Sequence, residues 1–338
     1  MVPALAVAAE LRADGARVVF VGGQRAEREL VPQAGFELRQ IEVEGLSRSN
    51  PLKAARALAK AAGAVRAAGR LLAELEPAAV MGGGGYVAGP VGLAATRRGI
   101  PLILTEADSH LGLSNRMLAR RARRVCLGFP LEGRSGDRYL VTGRPVPPPS
   151  ADAAAARARF GLSATETVLV VFGGSLGARS INEAAVAAFG QASPGFRVLH
   201  AAGRRDIERL RSRGVGDHYD LRDYIDGFAD ALAAADLVVA RSGGSIFEVA
   251  AAGRPAILVP YPNAAGDHQS GNARWMEQAG AAVVVPDDEL TAERLAREVA
   301  LLFGDRAHLA AMAEASLSLA RPGAARAIAD EIAAAGGT

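Results

Sequence analysis

Short apolar runs rich in β-branched residues recur along the whole chain, each separated from the next by a longer amphipathic stretch. In order they are RVVFVGG (17–23), AAVMGGG (78–84), PLILTEA (101–107), RVCLGF (124–129), TVLVVFGG (167–174), FRVLHAAG (196–203), DLVVARSGG (236–244), PAILVPY (255–261) and AAVVVP (281–286). Strands without polar alternation are buried on both faces, which a chain achieves by laying helices on both sides of a parallel sheet. The pattern predicts an α/β fold with doubly wound parallel sheets, and 338 residues are enough for two of them. The segment VTGRPVPPPSAD (141–152) interrupts the alternation, because its prolines can continue neither a helix nor a central strand. The expected division is therefore an N-terminal domain over 1–146 and a C-terminal domain over 150–320. RPGAARAIADEIAAAG (321–336) reads as a Pro-started helix with no strand after it, expected to cross back to the first domain.

Three of the apolar runs end in glycine-rich turns that open a helix: MGGGGYVAGPVGLAA (81–95), VVFGGSLGARSINEAA (170–185) and RSGGSIFEVAAAG (241–253). Glycine permits positive φ and close approach of a ligand, while the following helix aims free N–H groups at an anion. One such turn predicts only a tight strand-to-helix connection. Three of them, spread over both halves, predict an anionic ligand, with Gly83 and Gly84, Gly174, and Gly243 and Gly244 at the turns. GGSLGARS lacks the Gly-Lys-Ser/Thr ending of a Walker loop, and none of the three keeps GxGxxG with a spaced acid. An ATPase and a nicotinamide enzyme are thereby disfavoured. Glu248, early in the third helix, has the chemistry to accept a pair of hydroxyls, and Asp267, His268, Gln269 and Asn272 form a polar cluster after the next strand. The set suits a nucleotide sugar. Asp267 and His268 equally suit capping of the helix beginning near Gly266, and Arg241 suits either orienting the glycine turn or pairing with an acid.

The remaining properties narrow the class. A net charge of +3 is too small to point to nucleic acid. A single cysteine, Cys126, excludes an internal disulfide and fits a reducing compartment. No apolar run approaches the roughly 20 residues of a membrane-spanning helix, and Met1-Val-Pro carries no basic leader. A cytoplasmic location is expected.

Taken together, VPALAVAAEL, MGGGGYVAGP, GGSLGARSIN, the RSGG helix with its glutamate, and DHQSGNA occur in an order and spacing that resemble the MurG glycosyltransferases. The resemblance runs from Pro3 to the last helix. It implies the two-domain GT-B architecture, with the active site in the cleft between the halves. It also implies inverting transfer of N-acetylglucosamine from UDP-N-acetylglucosamine, a substrate rather than a cofactor, to an undecaprenyl-linked muramoyl-pentapeptide. By the same resemblance Gly174, Ser175, Gly243, Gly244 and Ser245 would hold the donor, Glu248 would take its ribose hydroxyls, the backbone at Ile225 would meet uracil, and Gln269 and Asn272 would read the sugar. Gly83, Gly84, Tyr86 and Asn115 would serve the acceptor side. No Asp-x-Asp box is present, so no protein-bound catalytic metal is expected.

The chain also departs from the family pattern. LTEADSHLGLSN stands where a HEQN-type segment is usual, keeping Glu106 and Asn115 and offering Asp108 and His110 as catalytic candidates. The third glycine turn is one residue shorter than in many members, and Pro147 stands where a basic residue is common. The family's first strand and GGTGGH-like loop do not precede Pro3, so neighbouring strands are expected to lack a partner, with the missing segment encoded upstream of Met1. Two alternatives stay open on the residues alone: a UDP-N-acetylglucosamine 2-epimerase, and a non-catalytic nucleotide-sugar-binding protein. Finally, a lipid acceptor implies peripheral attachment at the cytoplasmic face of the cell membrane. Two basic stretches fit an anionic surface: a helix over 110–125 with Arg116, Arg120, Arg121, Arg123 and Arg124, and one over 52–72 with Lys53, Arg56, Lys60, Arg66 and Arg70.

Overall fold

The computed structural model describes residues 1–24, 26–41, 51–174, 177–191 and 194–337, with 51–61 as backbone only. The chain divides into two compact units, one formed by Met1–Val146 with Arg321–Thr338 and the other by Pro147–Ala320.

The unit over 147–320 is built on a six-stranded parallel sheet in the order Ala282–Val284, Ala256–Leu258, Leu237–Ala240, Val168–Phe172, Arg197–Ala201, Tyr219–Arg222. Its first strand in sequence, Val168–Phe172, is central, and every residue of it is buried, as an unbroken apolar run demands. Asp236 anchors the strand's start, accepting from the Val168 N–H (2.7 Å) and from Arg157 (3.1 Å). The chain winds outward from Val168–Phe172 to Tyr219–Arg222, then returns to the other side of the first strand with Leu237–Ala240. That reversal is a topological switch point, where the connections leaving two neighbouring strands diverge and open a crevice at their carboxyl ends. Ile181 and Ala185 of the helix Arg179–Phe189, with Leu295 and Val299 of Ala292–Gly304, bury one sheet face against Leu169 and Val171.

In the other unit, Val80–Gly82, Leu102–Glu106, Arg124–Leu127 and Tyr139–Val141 form a four-stranded parallel sheet, while Val19–Gly22 pairs with Glu37–Gln40. Among the described residues, Val19–Gly22 ends one ladder and Val80–Gly82 ends the other. The last helix, Ala324–Gly336, lies on the first, Val2–Ala13: Val7, Ile328 and Ile332 share an apolar cluster with Ile103 and Cys126. Arg326 adds contacts to Glu10 (3.4 Å) and Asp14 (2.7 Å).

Parallel sheets covered by helices are thus the architecture, as the apolar runs predict. One expected helix is corrected. Instead of continuing over 110–125, the helix spans only Leu113–Leu118, and Arg124 begins a strand. The reason is backbone pairing: the Arg123 N–H already donates to Leu102 O, starting the ladder between Leu102–Glu106 and Arg124–Leu127. Arg124 binds Glu331 at 2.8 Å and is not part of a basic helix face. The other basic helix is present as Pro51–Leu75, although the side chains of Lys53, Arg56 and Lys60 lie outside the described residues.

Candidate active site

Both glycine-rich turns of the 147–320 unit leave the two strands that flank the switch point, Val168–Phe172 and Leu237–Ala240. After the first, the backbone runs at positive φ through Gly174 (84°) and Gly177 (76°). A Cβ on Gly173 would lie 2.3 Å from the Ala178 nitrogen, and one on Gly177 would lie 2.2 Å from the Ala202 carbonyl oxygen, so these positions accept glycine alone. Ser175 lies outside the described residues. Beneath this turn a buried chain of polar groups ties the helix to the sheet. Tyr219 OH meets His200 Nδ1 at 2.7 Å, His200 Nε2 meets Asn182 Oδ1 at 3.0 Å, and Asn182 Nδ2 donates to Ala202 O at 2.8 Å. Burial lowers the His200 pKa to about 3, so the ring is neutral.

The second turn carries Gly243, Gly244 and Ser245 into the helix Ile246–Ala251. A Cβ on Gly243 would reach only ordinary contact with Gln269, at 3.8 Å, so the space over the turn is open. Glu248 lines a cavity of about 260 Å³ whose other walls include Pro147, Pro149, Phe228 and Leu232. In that wall Glu248 is the single ionisable group. Ile225 is buried, three residues before the helix Phe228–Ala234, so its side chain belongs to the core.

The amide pair divides its labour. Gln269 is part-exposed, and its Oε1 accepts from the Tyr261 N–H at 3.0 Å. Asn272 is fully buried and donates to the Ser242 carbonyl at 3.0 Å, while the Ser242 hydroxyl donates to Gln269 O at 2.7 Å. Asn272 therefore fixes the glycine turn from below. Asp267 precedes the helix His268–Gln278 at a φ of 55° and accepts from Ser270 Oγ at 2.6 Å, without a side-chain bond to the helix backbone. Of the two roles open to Arg241 in sequence, the pairing with an acid is present, since it binds Asp287 at 2.6 Å directly before the turn. Asp287 and Ser180, which completes that group, carry no sequence signal: one follows a strand in a run of acids, the other sits inside ARSIN.

In the unit that contains residues 1–146, Gly84 and Gly85 both sit at a φ of 79°, opening the helix Gly85–Arg97. Gly83 and Tyr86 are exposed. Glu106 organises the loop after Leu102–Glu106: Oε1 accepts from the Ala107 and Asp108 N–H groups (3.1 and 3.3 Å), and Oε2 from Gly112 N–H (2.8 Å) and Asn115 Nδ2 (3.0 Å). Asn115 is buried and also donates to Thr105 O at 2.9 Å, so it holds this loop in place. Asp108 lines a cavity of about 210 Å³ with Gly83, Thr105, Cys126 and Arg144, and His110 is exposed farther along the same loop. Burial pushes the Cys126 thiol up to about 12, which removes it as a nucleophile.

Residues 1–127 match the glycosyltransferase family 28 N-terminal domain and residues 168–330 the glycosyltransferase family 28 C-terminal domain. A relative from Moorella thermoacetica is 41% identical over 96% of this chain and 93% of its own, and one from Rubrobacter xylanophilus is 41% identical over 98% of each. Both are named UDP-N-acetylglucosamine–N-acetylmuramyl-(pentapeptide) pyrophosphoryl-undecaprenol N-acetylglucosamine transferase. The crystal structure of Acinetobacter baumannii MurG superposes with a TM-score of 0.82 at 30% identity, covering 98% of this chain and 94% of that one. A UDP-GlcNAc 2-epimerase from Neisseria meningitidis, with a TM-score of 0.67 at 14% identity, shares the fold alone. Glycine turns at a switch point, domain matches on both sides of the proline-rich segment and relatives alike over nearly the full length agree: the chain belongs to the MurG-type glycosyltransferases of family 28.

Proposed function

We propose that this chain transfers N-acetylglucosamine from UDP-N-acetylglucosamine to N-acetylmuramyl-(pentapeptide) pyrophosphoryl-undecaprenol, with inversion at the anomeric carbon. The observation that carries the reading is that two glycine-rich turns leave the carboxyl ends of adjacent central strands, in a chain 41% identical to enzymes named for that reaction. An acceptor hydroxyl attacks the anomeric carbon, and the bond to the UDP oxygen breaks. The departing diphosphate takes the electron pair and is stabilised by donors already aimed at it from the turns at Gly174 and at Gly243 to Ser245. Glu248 takes the ribose hydroxyls, its charge strengthening both bonds. The hydroxyl proton goes to a base on the loop 107–112, where Asp108 and His110 are the two titratable side chains. The reaction draws on no cofactor, since UDP-N-acetylglucosamine is itself the donor.

The same reading puts the chain at an anionic membrane surface as a peripheral protein. Among the described residues no helix is long and apolar enough to cross a membrane. Leu113 and Met117 are exposed on the short helix that also carries Arg116, with Arg120 and Arg121 exposed just beyond. Ser114 Oγ donates to Gly85 O at 2.7 Å, which brings this helix beside Gly85–Arg97, whose second residue is the exposed Tyr86. Apolar side chains ringed by arginines suit insertion among anionic headgroups.

Radiolabelled UDP-N-acetylglucosamine incubated with the lipid acceptor tests the activity. Label appearing in the lipid fraction is expected. Formation of the 2-epimer without transfer would establish an epimerase instead, and UDP binding without either product a silent binding protein.

A further inference from the structure

Arg241 stands at the carboxyl end of Leu237–Ala240, directly before the turn that carries Gly243 and Gly244, and its side chain is only 11% exposed. Its Nη1 donates to the carbonyls of Val259 (3.1 Å) and Pro260 (3.2 Å) and to Asp287 Oδ1 (2.6 Å). Its Nη2 donates to Ser180 Oγ at 2.8 Å, and Ser180 Oγ in turn donates to Asp287 Oδ1 at 2.6 Å. The guanidinium also lies 5.5 Å from the centre of the Tyr261 ring, whose backbone N–H holds Gln269. One planar cation thus joins the chain beyond four neighbouring strands, all on the carboxyl side of the sheet. Ser180 begins the helix that follows Gly173, Gly174 and Gly177, and Arg241 itself begins the other glycine turn.

Nη1 and one N–H of Nη2 bond protein acceptors on separate segments, so what the geometry carries is a tie between those segments. A buried ion pair is also a weak source of stability, because desolvation offsets the attraction. What the fork does supply is a side-chain tie from the start of the second glycine turn to the helix that follows the first.

We propose that Arg241, with Ser180 and Asp287, is a positioning group for donor binding: it sets the spacing between the two glycine turns so that both present their N–H groups to one diphosphate. The inference rests on the reading of this unit as the donor site. A diphosphate held from two sides loses one set of hydrogen bonds if either turn shifts by about 1 Å, because such bonds weaken steeply beyond their normal length. Lysine cannot replace the fork, since a single ammonium does not span acceptors on several elements.

UDP binding measured by calorimetry on the intact protein tests this. Wild type binding UDP supports the donor site itself; if it does not bind, that reading fails and this one with it. Given wild-type binding, Ser180→Ala, which removes one hydroxyl at the start of a helix, is expected to stay folded by circular dichroism and bind UDP about tenfold more weakly. Ser180→Thr, which keeps the hydroxyl, is expected to restore the affinity. Arg241→Lys is expected to raise the donor KM by at least as much while leaving the acceptor KM unchanged. Should Arg241→Lys not fold, the Ser180 pair decides. Folded variants that bind UDP as tightly as wild type would overturn the proposal and leave the cluster a purely structural tie.

Discussion

Glu248 is the one ionisable residue lining its cavity, which makes it the side chain to test there for donor binding. Glu248→Ala is expected to weaken UDP by about 10- to 100-fold, the cost of a lost charged hydrogen-bond partner, as read by calorimetry. Unchanged affinity in the folded variant would take Glu248 out of the site. His200 makes a different prediction. Its folded pKa near 3 lies below the ordinary 6.5, so the unfolded chain takes up a proton that the native ring refuses. The stability it contributes is complete above about pH 6.5 and is lost as pH falls toward 3, at about 1.4 kcal/mol per pH unit. Unfolding free energies from urea titrations at pH 7 and pH 5 should therefore differ by about 2 kcal/mol from this residue, and His200→Gln should flatten that limb. Sequence letters showed which residues carry useful chemistry but not where each points. Gln269 and Asn272 read as an equivalent pair of amides, yet Asn272 is buried on the Ser242 carbonyl. Ser180 and Asp287 were invisible because their partnership with Arg241 spans 61 and 46 residues of chain.

At the scale of elements, the strands that sequence reading missed, Glu37–Gln40, Tyr139–Val141 and Tyr219–Arg222, each lie at a sheet edge, although Val19–Gly22, Val80–Gly82 and Ala282–Val284 are edge strands too and were legible by their apolar runs. An edge strand has one neighbour and more contact with water, so it tolerates charges such as Arg39 and Asp220, and where it takes them the apolar run is lost. The glycine turn after Val168–Phe172 was legible for the opposite reason, because its backbone forbids a side chain. Gly177→Ala would put a methyl 2.2 Å from the Ala202 carbonyl at a φ of 76°. It is expected to cost a few kcal/mol, seen as a drop in melting temperature together with loss of UDP binding. For the membrane-facing reading, Arg120→Gln with Arg121→Gln should reduce sedimentation with anionic liposomes at low salt, and added salt should reproduce the change. Equal sedimentation would make these arginines an ordinary solvated face. Arg124 is left out of that test because Glu331 holds it.

For the molecule as a whole, the proline-rich segment marks where one unit stops, but the unit that contains residues 1–146 is completed by 321–338. Removing 321–338 should expose Val7, Ile103 and Cys126, raising hydrogen exchange along Leu102–Glu106 while leaving Val168–Phe172 protected. Equal protection of both strands after truncation would show that the last helix contributes little. The arrangement also inverts the order of birth on the ribosome. The unit over 147–320 is one uninterrupted stretch and can close as soon as it emerges, whereas the earlier-made unit must wait for the final helix. At ~5–20 residues per second, the 174 residues of 147–320 impose a delay of roughly 9–35 s. Throughout that interval the nascent chain presents the apolar seat of Ile328 and Ile332 uncovered, a natural place for a holding chaperone to engage.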